Sequence, residues 1–423
     1  MKKKYFYLVI IGLIITSHSV TAQSNKNLQF YRPPGHSGIN QFETTKESDS
    51  VLFTGIKVRV GGDFAMQFQA LNHATQSADT LVILGNNFNL PTANLNLDVQ
   101  LADGMRMRLV TYLSSRHHNE AWVKGGHIQI DKLDFIKKDF LKKFMNITTI
   151  KMGMDEINYG DAHFRRSDNA RTIYNPFVGN YIMDAFSTEV FGELIFQKKN
   201  FLLVAAVSNG NLNQSVVKGT KDPQPSFYGK FGYDNQFNED FRLRLTGSMY
   251  LSPGYDNGQY LYNGDRTGSR YYNVLQINNA TDNFRSGRFS PGFSKYQSYQ
   301  VNPFVKYKGL EFFGIYEIVN GDKSRTETGG TYTQIGVELI YRFGANEQFY
   351  FGGRYNSVSG TDTSNSAAKS IERVNVGGGW FLTDHLLVKA EYVSQNYYGS
   401  GWESSVYERA NFNGIMVEAV VGF

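Results

Sequence analysis

The chain contains no cysteine, so neither a disulfide framework nor a lipid-modified N-terminal cysteine is available to it. Beyond residue 22 it has no run of 18 consecutive apolar residues, which excludes a membrane-spanning helix. Its histidines are scattered. Only His117 and His118 adjoin, and no HExxH or metal-ligand spacing occurs. His127 has no visible Ser and acid partners of the kind a membrane-embedded hydrolase needs. The chain therefore reads as a non-enzyme with no metal or cofactor. An excess of one charge is also lacking. The formal net charge of +5 includes Lys2, Lys3 and Lys4, and without residues 1–22 it is +2. Such a balance gives no reason to expect nucleic acid as a partner.

Residues 1–22 have the form of a secretory signal peptide. The three lysines precede an apolar stretch from Tyr5 to Ile15, and Val20-Thr21-Ala22 offers small residues for cleavage before Gln23. Residues 23–53 are polar, with Pro33-Pro34 and little periodicity, and read as an irregular N-terminal segment on the periplasmic side. Whether it enters the fold that follows is open at this stage.

What the chain has in quantity is aromatic and turn-forming residues: 27 Tyr, 32 Phe and 42 Gly. From residue 54 onward these fall into segments with period-2 alternation. Near the start, Val58, Val60, Phe64 and Met66 oppose Lys57, Arg59, Asp63 and Gln67. Leu95, Leu97, Val99 and Leu101 alternate with Asn96, Asp98 and Gln100, and Asp103-Gly104 is a two-residue hairpin signal. At the other end, Ile415, Val417, Ala419, Val421 and Phe423 share one face of a final strand. A strand ending on an aromatic, with no polar tail, is an aggregation-prone edge unless it pairs with the first strand and closes the sheet. The expected fold is all-β: a transmembrane antiparallel up-and-down β-barrel over residues 54–423, of about 16 strands, with short periplasmic turns and long outer loops. Two features leave room for adjustment. Residues 131–146 place Phe140, Leu141 and Phe144 against Lys137, Lys138, Lys142 and Lys143, which suggests a short amphipathic helix at the membrane surface or packed on the rim. Tyr271–Asn278 is a possible extra strand.

Charged side chains on the lipid face cost a few kcal/mol each at mid-depth, so those on the polar parity must face the lumen. They include Lys151, Glu189 and Glu193, and two basic ladders, Arg106/Arg108 and Arg242/Arg244. Segregated charges of this kind tune ion selectivity in a pore. The competing reading pairs them into salt bridges that stiffen a plugged lumen. Residues 156–184, between the fifth and sixth strands, are too long and too rich in Tyr and Phe for a simple tether. They also carry His163, Arg165, Arg166 and Arg171.

In its strand count, its long third outer loop and its terminal Phe423, the chain resembles the 16-stranded outer-membrane porins, and among them a Bacteroidetes-type porin, distantly like the phosphate-selective porins. The resemblance implies a Gram-negative outer-membrane location, lipid and lipopolysaccharide around the barrel, and a possible homotrimer. It also implies recognition of the Phe423 strand by the barrel-assembly machinery. By the same resemblance the third loop narrows the pore, with Arg165, Arg166 and Arg171 at a constriction that favours anions; these arginines have the alternatives of binding lipopolysaccharide or pairing with Asp161 and Asp168. The implied function is passive diffusion of small hydrophilic solutes. A non-conducting barrel serving as a partner subunit, or a channel selective for phosphate, dicarboxylates or oligosaccharides, are the alternatives. The dense lysine cluster of a phosphate channel is not found.

Overall fold

The computed structural model describes residues 28–44, 46, 51–89, 91–114, 120–212, 216–217, 222–265, 270–278 and 286–423. The expected signal peptide and the His117-His118 pair lie outside them.

Sixteen strands form the wall. They are β1 Lys57–Ala74, β2 Thr92–Ala102, β3 Met105–Ser114, β4 Glu120–Ile130, β5 Thr148–Glu156, β6 Thr188–Lys198, β7 Phe201–Ser208 and β8 Ser226–Gln236, followed by β9 Phe241–Ser252, β10 Lys295–Tyr307, β11 Leu310–Asp322, β12 Gly330–Phe343, β13 Phe349–Thr361, β14 Lys369–Thr383, β15 Leu386–Tyr398 and β16 Asn411–Gly422. Each pairs antiparallel with the next. The sheet closes where β1 meets β16, from Asp63 opposite Gly422 to Ala74 opposite Asn411. Phe423 extends that seam by exchanging both backbone hydrogen bonds with Gly62, at 3.0 Å each. Every wall strand has a paired neighbour on both sides, so the closed ladder satisfies its backbone groups without water wherever strands pair.

The wall inverts the burial rule of a water-soluble protein. On β12, Ile335, Val337 and Leu339 are 40–50% exposed, while Gln334 and Glu338 on the other parity are at most 1% exposed. Apolar side chains outside and polar ones inside are what a lipid surround requires. The connectors sort by length as expected. Asp103-Gly104, Lys199-Asn200, Lys308-Gly309 and Asp384-His385 turn tightly at one end, whereas the long connectors leave the other.

Three sequence expectations change in detail. The Gly125-Gly126 irregularity is a bulge one residue earlier. Val110 pairs with Gly125 and Thr111 with Val123, so Lys124 is the extra residue and turns into the lumen. The amphipathic helix shrinks to one turn, Lys142–Met145, because Asp139 and Leu141 adopt left-handed backbone angles that break any longer helix. Tyr271–Asn278 is no wall strand; it turns inward, bonds wall side chains such as Glu391 and Gln69, and makes one isolated bridge, Ile277 to Leu81.

The apolar core is inside the barrel, not outside it. Residues 156–187 and described residues of the connector between β9 and β10 fold into the lumen, where Ile157, Tyr159, Val178, Ile182, Leu261 and Tyr271 join one cluster with inward residues of the wall. Ile173, Tyr174 and Phe177 pack on Tyr350, Phe381 and Leu387 in a second. The N-terminal segment enters as well. Phe42 packs with Tyr181, Phe304 and Phe313, and Gln29 and His36 bond to Gln100 and Asp384 near the short turns.

Candidate functional site

The inward loop is held by ion pairs that run from its arginines to the wall and to itself. Arg165 reaches Glu338 at 2.7 Å and Glu311 at 3.5 Å, and also bonds Asn40 of the N-terminal segment. Arg166 forks onto Asp184, with 2.9 and 2.6 Å contacts, and contacts Asp265. Arg171 meets Glu156 at 2.6 Å. Asp168 is a weaker partner, 3.7 Å from Arg171 and 3.9 Å from Arg166, and Asp161 turns away to the wall. All three arginines therefore have their charge balanced within the protein. Arg165 and Arg166 are about 4% exposed or less and so do not reach the surface of the molecule.

His163 stacks on Phe164 with 3.8 Å between ring centroids, and its Nε2 lies 3.0 Å from Asn158 Oδ1. Burial pushes its pKa down to about 4, against the smaller pull of Glu156, so it is neutral at pH 7. The turn that carries it depends on Gly160. This residue sits at φ 65°, and a Cβ there would overlap the Gln300 side chain.

The Arg242/Arg244 ladder is likewise neutralised. Arg242 pairs with Asp234 at 2.7 Å, and Arg244 with Asp161 at 2.8 Å and Glu43 at 2.7 Å. Asp161 and Glu43 also receive Lys230, at 3.0 and 3.1 Å. Burial alone would raise the Glu43 carboxyl, but Arg244 and Lys230 overcome this and hold its pKa at about 2. Glu43 and Asp161 thus fasten the N-terminal segment and the loop to the same two wall cations. Glu43 did not stand out in the sequence, because a Glu in a polar segment is ordinarily solvated, and Asp161 was legible only as a partner for the arginines of its own loop, not for the wall.

The Arg106/Arg108 ladder on β3 is different. Arg106 has a single bond, Nη2 to Gln129 at 2.5 Å, and its Nε has no acceptor. Arg108 makes no ion pair among the described residues, and its Nε also lacks an acceptor. On the neighbouring strand β5, Lys151 stands 3.7 Å from Glu193, a loose contact. Water reaches the interior here, as it also does at Arg242 and Asp234, 23% and 24% exposed. Side chains of Arg59, Lys151, Glu156 and Arg171 keep 12–18% exposure, and Arg108 is half-buried. Opposite, inward side chains such as Gln334, Asn356, Arg373 and Gln395 are at most 1% exposed against the folded-in loops. The acids of β6 take their hydrogen bonds from tyrosines: Glu189 accepts from Tyr250 at 3.0 Å, and Glu193 from Tyr228 at 3.1 Å. Among the described residues no group of three His, Asp or Glu side chains is placed to hold a metal ion.

A closed 16-stranded barrel, apolar outside and charged inside, defines a transmembrane protein of the Gram-negative outer membrane. No protein-family model and no curated protein sequence matches the chain. Solved structures do. The outer-membrane channel DcaP of Acinetobacter baumannii superposes with a TM-score of 0.52 at 11% identity, over 87% of this chain and 98% of that one. The anion-selective porin from Comamonas acidovorans gives 0.51 at 8% identity, over 87% and 100%. The trimer form of OmpT, an outer-membrane protein of Vibrio cholerae, gives 0.51 at 11% identity, again over 87% and 100%. At these identities the likeness is one of fold: the chain has the barrel of the outer-membrane porins.

Proposed function

We propose that this protein is an outer-membrane channel of the porin kind that passes small hydrophilic solutes passively, with a lean toward anions and no covalent step. One observation carries the reading. Arg106 and Arg108 form a basic ladder that makes no direct ion pair among the described residues; Asp98, Asp155 and Glu156 act on Arg108 only from beyond ion-pair distance, and Arg108 is half-buried. A guanidinium whose donors the fold leaves open can meet a mobile anion, and rings or ladders of such charge set the selectivity of pores. The conducting path then runs between the folded-in loops and the β1–β5 wall, and Lys151, Glu193 and Glu189 lie on or near it. Arg165, Arg166, Arg171, Arg242, Arg244 and His163 hold the narrowing in place and do not select ions themselves.

A second reading has its own support. The N-terminal segment and residues 156–184 pack the lumen closely, as expected of a non-conducting barrel that serves as a partner subunit of an envelope complex. A channel selective for phosphate, dicarboxylates or oligosaccharides is a narrower form of the first reading. The Bacteroidetes-type assignment, the encounter of the Phe423 strand with the barrel-assembly machinery, contact with lipopolysaccharide and a homotrimer belong with it. Phe423 being 53% exposed at the seam, and the trimer form of OmpT, support two of these.

Swelling of proteoliposomes in an isosmotic pentose tests passage, and efflux of trapped gluconate against trapped choline tests the lean. Swelling with faster gluconate efflux is expected. A barrel that migrates as folded yet gives neither swelling nor efflux would leave the partner-subunit reading standing.

A further inference from the structure

The connector between β4 and β5, residues 131–146, is unlike the other turns at its end of the barrel. Those are tight and largely polar, whereas this one is a projecting ledge. Its base is pinned. The Asp131 and Lys132 amides both bond Gly104 O, at 2.6 and 3.3 Å, and Lys46 of the N-terminal segment reaches the carbonyls of Asp131 and Met145, at 3.0 and 2.7 Å. Met145 is buried. Yet Phe135, Ile136, Phe140, Leu141 and Phe144 are all 39–58% exposed. A pinned loop that shows five large apolar side chains is built to present them to something other than water.

Position identifies the occupant. Phe144 packs edge-on against Phe196 of β6, with 6.2 Å between centroids, and Phe196 belongs to the outward, lipid-facing parity of its strand. The ledge therefore lies against the outside of the wall at the short-turn end. Around most of that end runs a belt of outward aromatics, among them Phe201, Tyr307, Phe343, Phe349 and Trp380, several stacked on one another. Such belts sit at the headgroup level of the bilayer. Over β1–β5 the corresponding wall positions are Val58, Leu101, Met105, Ile130 and Ile150, with no aromatic among them. The ledge is inserted within this arc, and its three phenylalanines supply what the wall lacks there.

Charge selects among lipids. Lys142 pairs with Asp139 at 2.8 Å, but Lys137, Lys138 and Lys143 are exposed and have no carboxylate partner among the described residues. Alternating exposed phenylalanine and unpaired lysine is the chemistry of an interfacial anchor for anionic phospholipid. We propose that residues 131–146 are a lipid-binding ledge that seats in the headgroup layer of the periplasmic leaflet, with Lys137, Lys138 and Lys143 holding the phosphates of anionic phospholipid.

The absence of cysteine makes the test direct. A single Phe140→Cys carries an environment-sensitive fluorophore, and Glu239→Cys in the turn between β8 and β9 is the water-facing reference. Both full-length barrels are folded into vesicles of phosphatidylcholine alone or with phosphatidylglycerol, and heat-modifiable migration confirms folding. At residue 140 the expected result is blue-shifted emission and protection from acrylamide, both increased by phosphatidylglycerol. Replacing Lys137→Gln, Lys138→Gln and Lys143→Gln together should abolish the phosphatidylglycerol increment and keep the folded migration. Emission at residue 140 as water-like as at residue 239 would overturn the proposal and point to a periplasmic protein as the occupant. A phosphatidylglycerol response unchanged by the three substitutions would overturn the role of the lysines.

Discussion

The lumen holds two populations of basic side chain, and they differ in what their removal leaves behind. Arg166 is the bidentate partner of Asp184, a carboxylate whose other cation, Arg288, stands 4.0 Å away. Arg166→Ala strands a buried acid, which costs about 3–5 kcal/mol when one partner of a buried pair is removed. Arg108→Ala breaks no direct ion pair among the described residues, so its cost is expected to stay under about 1 kcal/mol, as for other substitutions that break no buried network. The urea midpoint of the lipid-folded barrel distinguishes them: a clear drop for Arg166→Ala and little change for Arg108→Ala. Two further groups make the packing sensitive to acid. His163 is held near pKa 4 instead of the usual 6.5, so as pH falls from 6.5 to 4 the unfolded chain takes up a proton that the folded one refuses, and stability is lost. Glu43 is held near 2 instead of 4.5, so its contribution is complete above pH 4.5 and lost as pH falls toward 2. Amide exchange over residues 28–44 and 156–184 should therefore be slow at pH 7, after correction for the intrinsic rate, and faster at pH 3. Equal protection at both would contradict the ion-pair fastening. Parity along the strands already separated these side chains from the lipid face in the sequence. Which of them were neutralised was not legible there, because pairs such as Arg165–Glu338 and Lys230–Glu43 join segments more than 150 residues apart.

At the scale of elements, the alternating strands were readable nearly throughout. Each exposes one parity to lipid, and a one-residue slip would turn its charges outward. The sixth strand begins at Thr188 and not at Ala185, since Ala185 and Phe186 are drawn into the buried loop. The loop's aromatics signalled that residues 156–184 are structured, and Tyr159, Tyr174, Phe177 and Tyr181 do pack on the wall. The entry of the N-terminal segment and of the β9–β10 connector carried no such signal. Their contacts, among them Arg242 to Asn40 O at 2.9 Å and Tyr271 to Glu391 at 2.9 Å, are one-to-one pairings with no periodicity behind them. The N-terminal segment touches the short-turn mouth through Gln29, Asn40 and Glu43. Deleting residues 23–50 is expected to leave the barrel folded, because no rung of the wall ladder is lost, and to raise single-channel conductance. An unchanged conductance would place the narrowing in residues 156–184 alone.

For the whole molecule, closure is the central fact, and the ends of the chain show how it is reached. β1 and β16 pair over twelve residues, and Gly61 and Gly62 leave room at the seam where Arg59 and Phe423 lie against the backbone. Closure turns one apolar parity of every strand toward lipid, so selectivity toward solutes must come from inside. There the folded-in loops pack against most of the wall, and the proposed path runs between them and β1–β5. The measurement that tests it most directly is the reversal potential of single barrels in a planar bilayer under a salt gradient, for the parent chain, for Arg106→Ala with Arg108→Ala, and for Arg242→Ala. The account predicts a potential of anion-selective sign that falls toward zero or inverts without the β3 ladder and changes little without Arg242, whose charge Asp234 already balances. A folded barrel that carries no current, or one whose selectivity ignores Arg106 and Arg108, would contradict it.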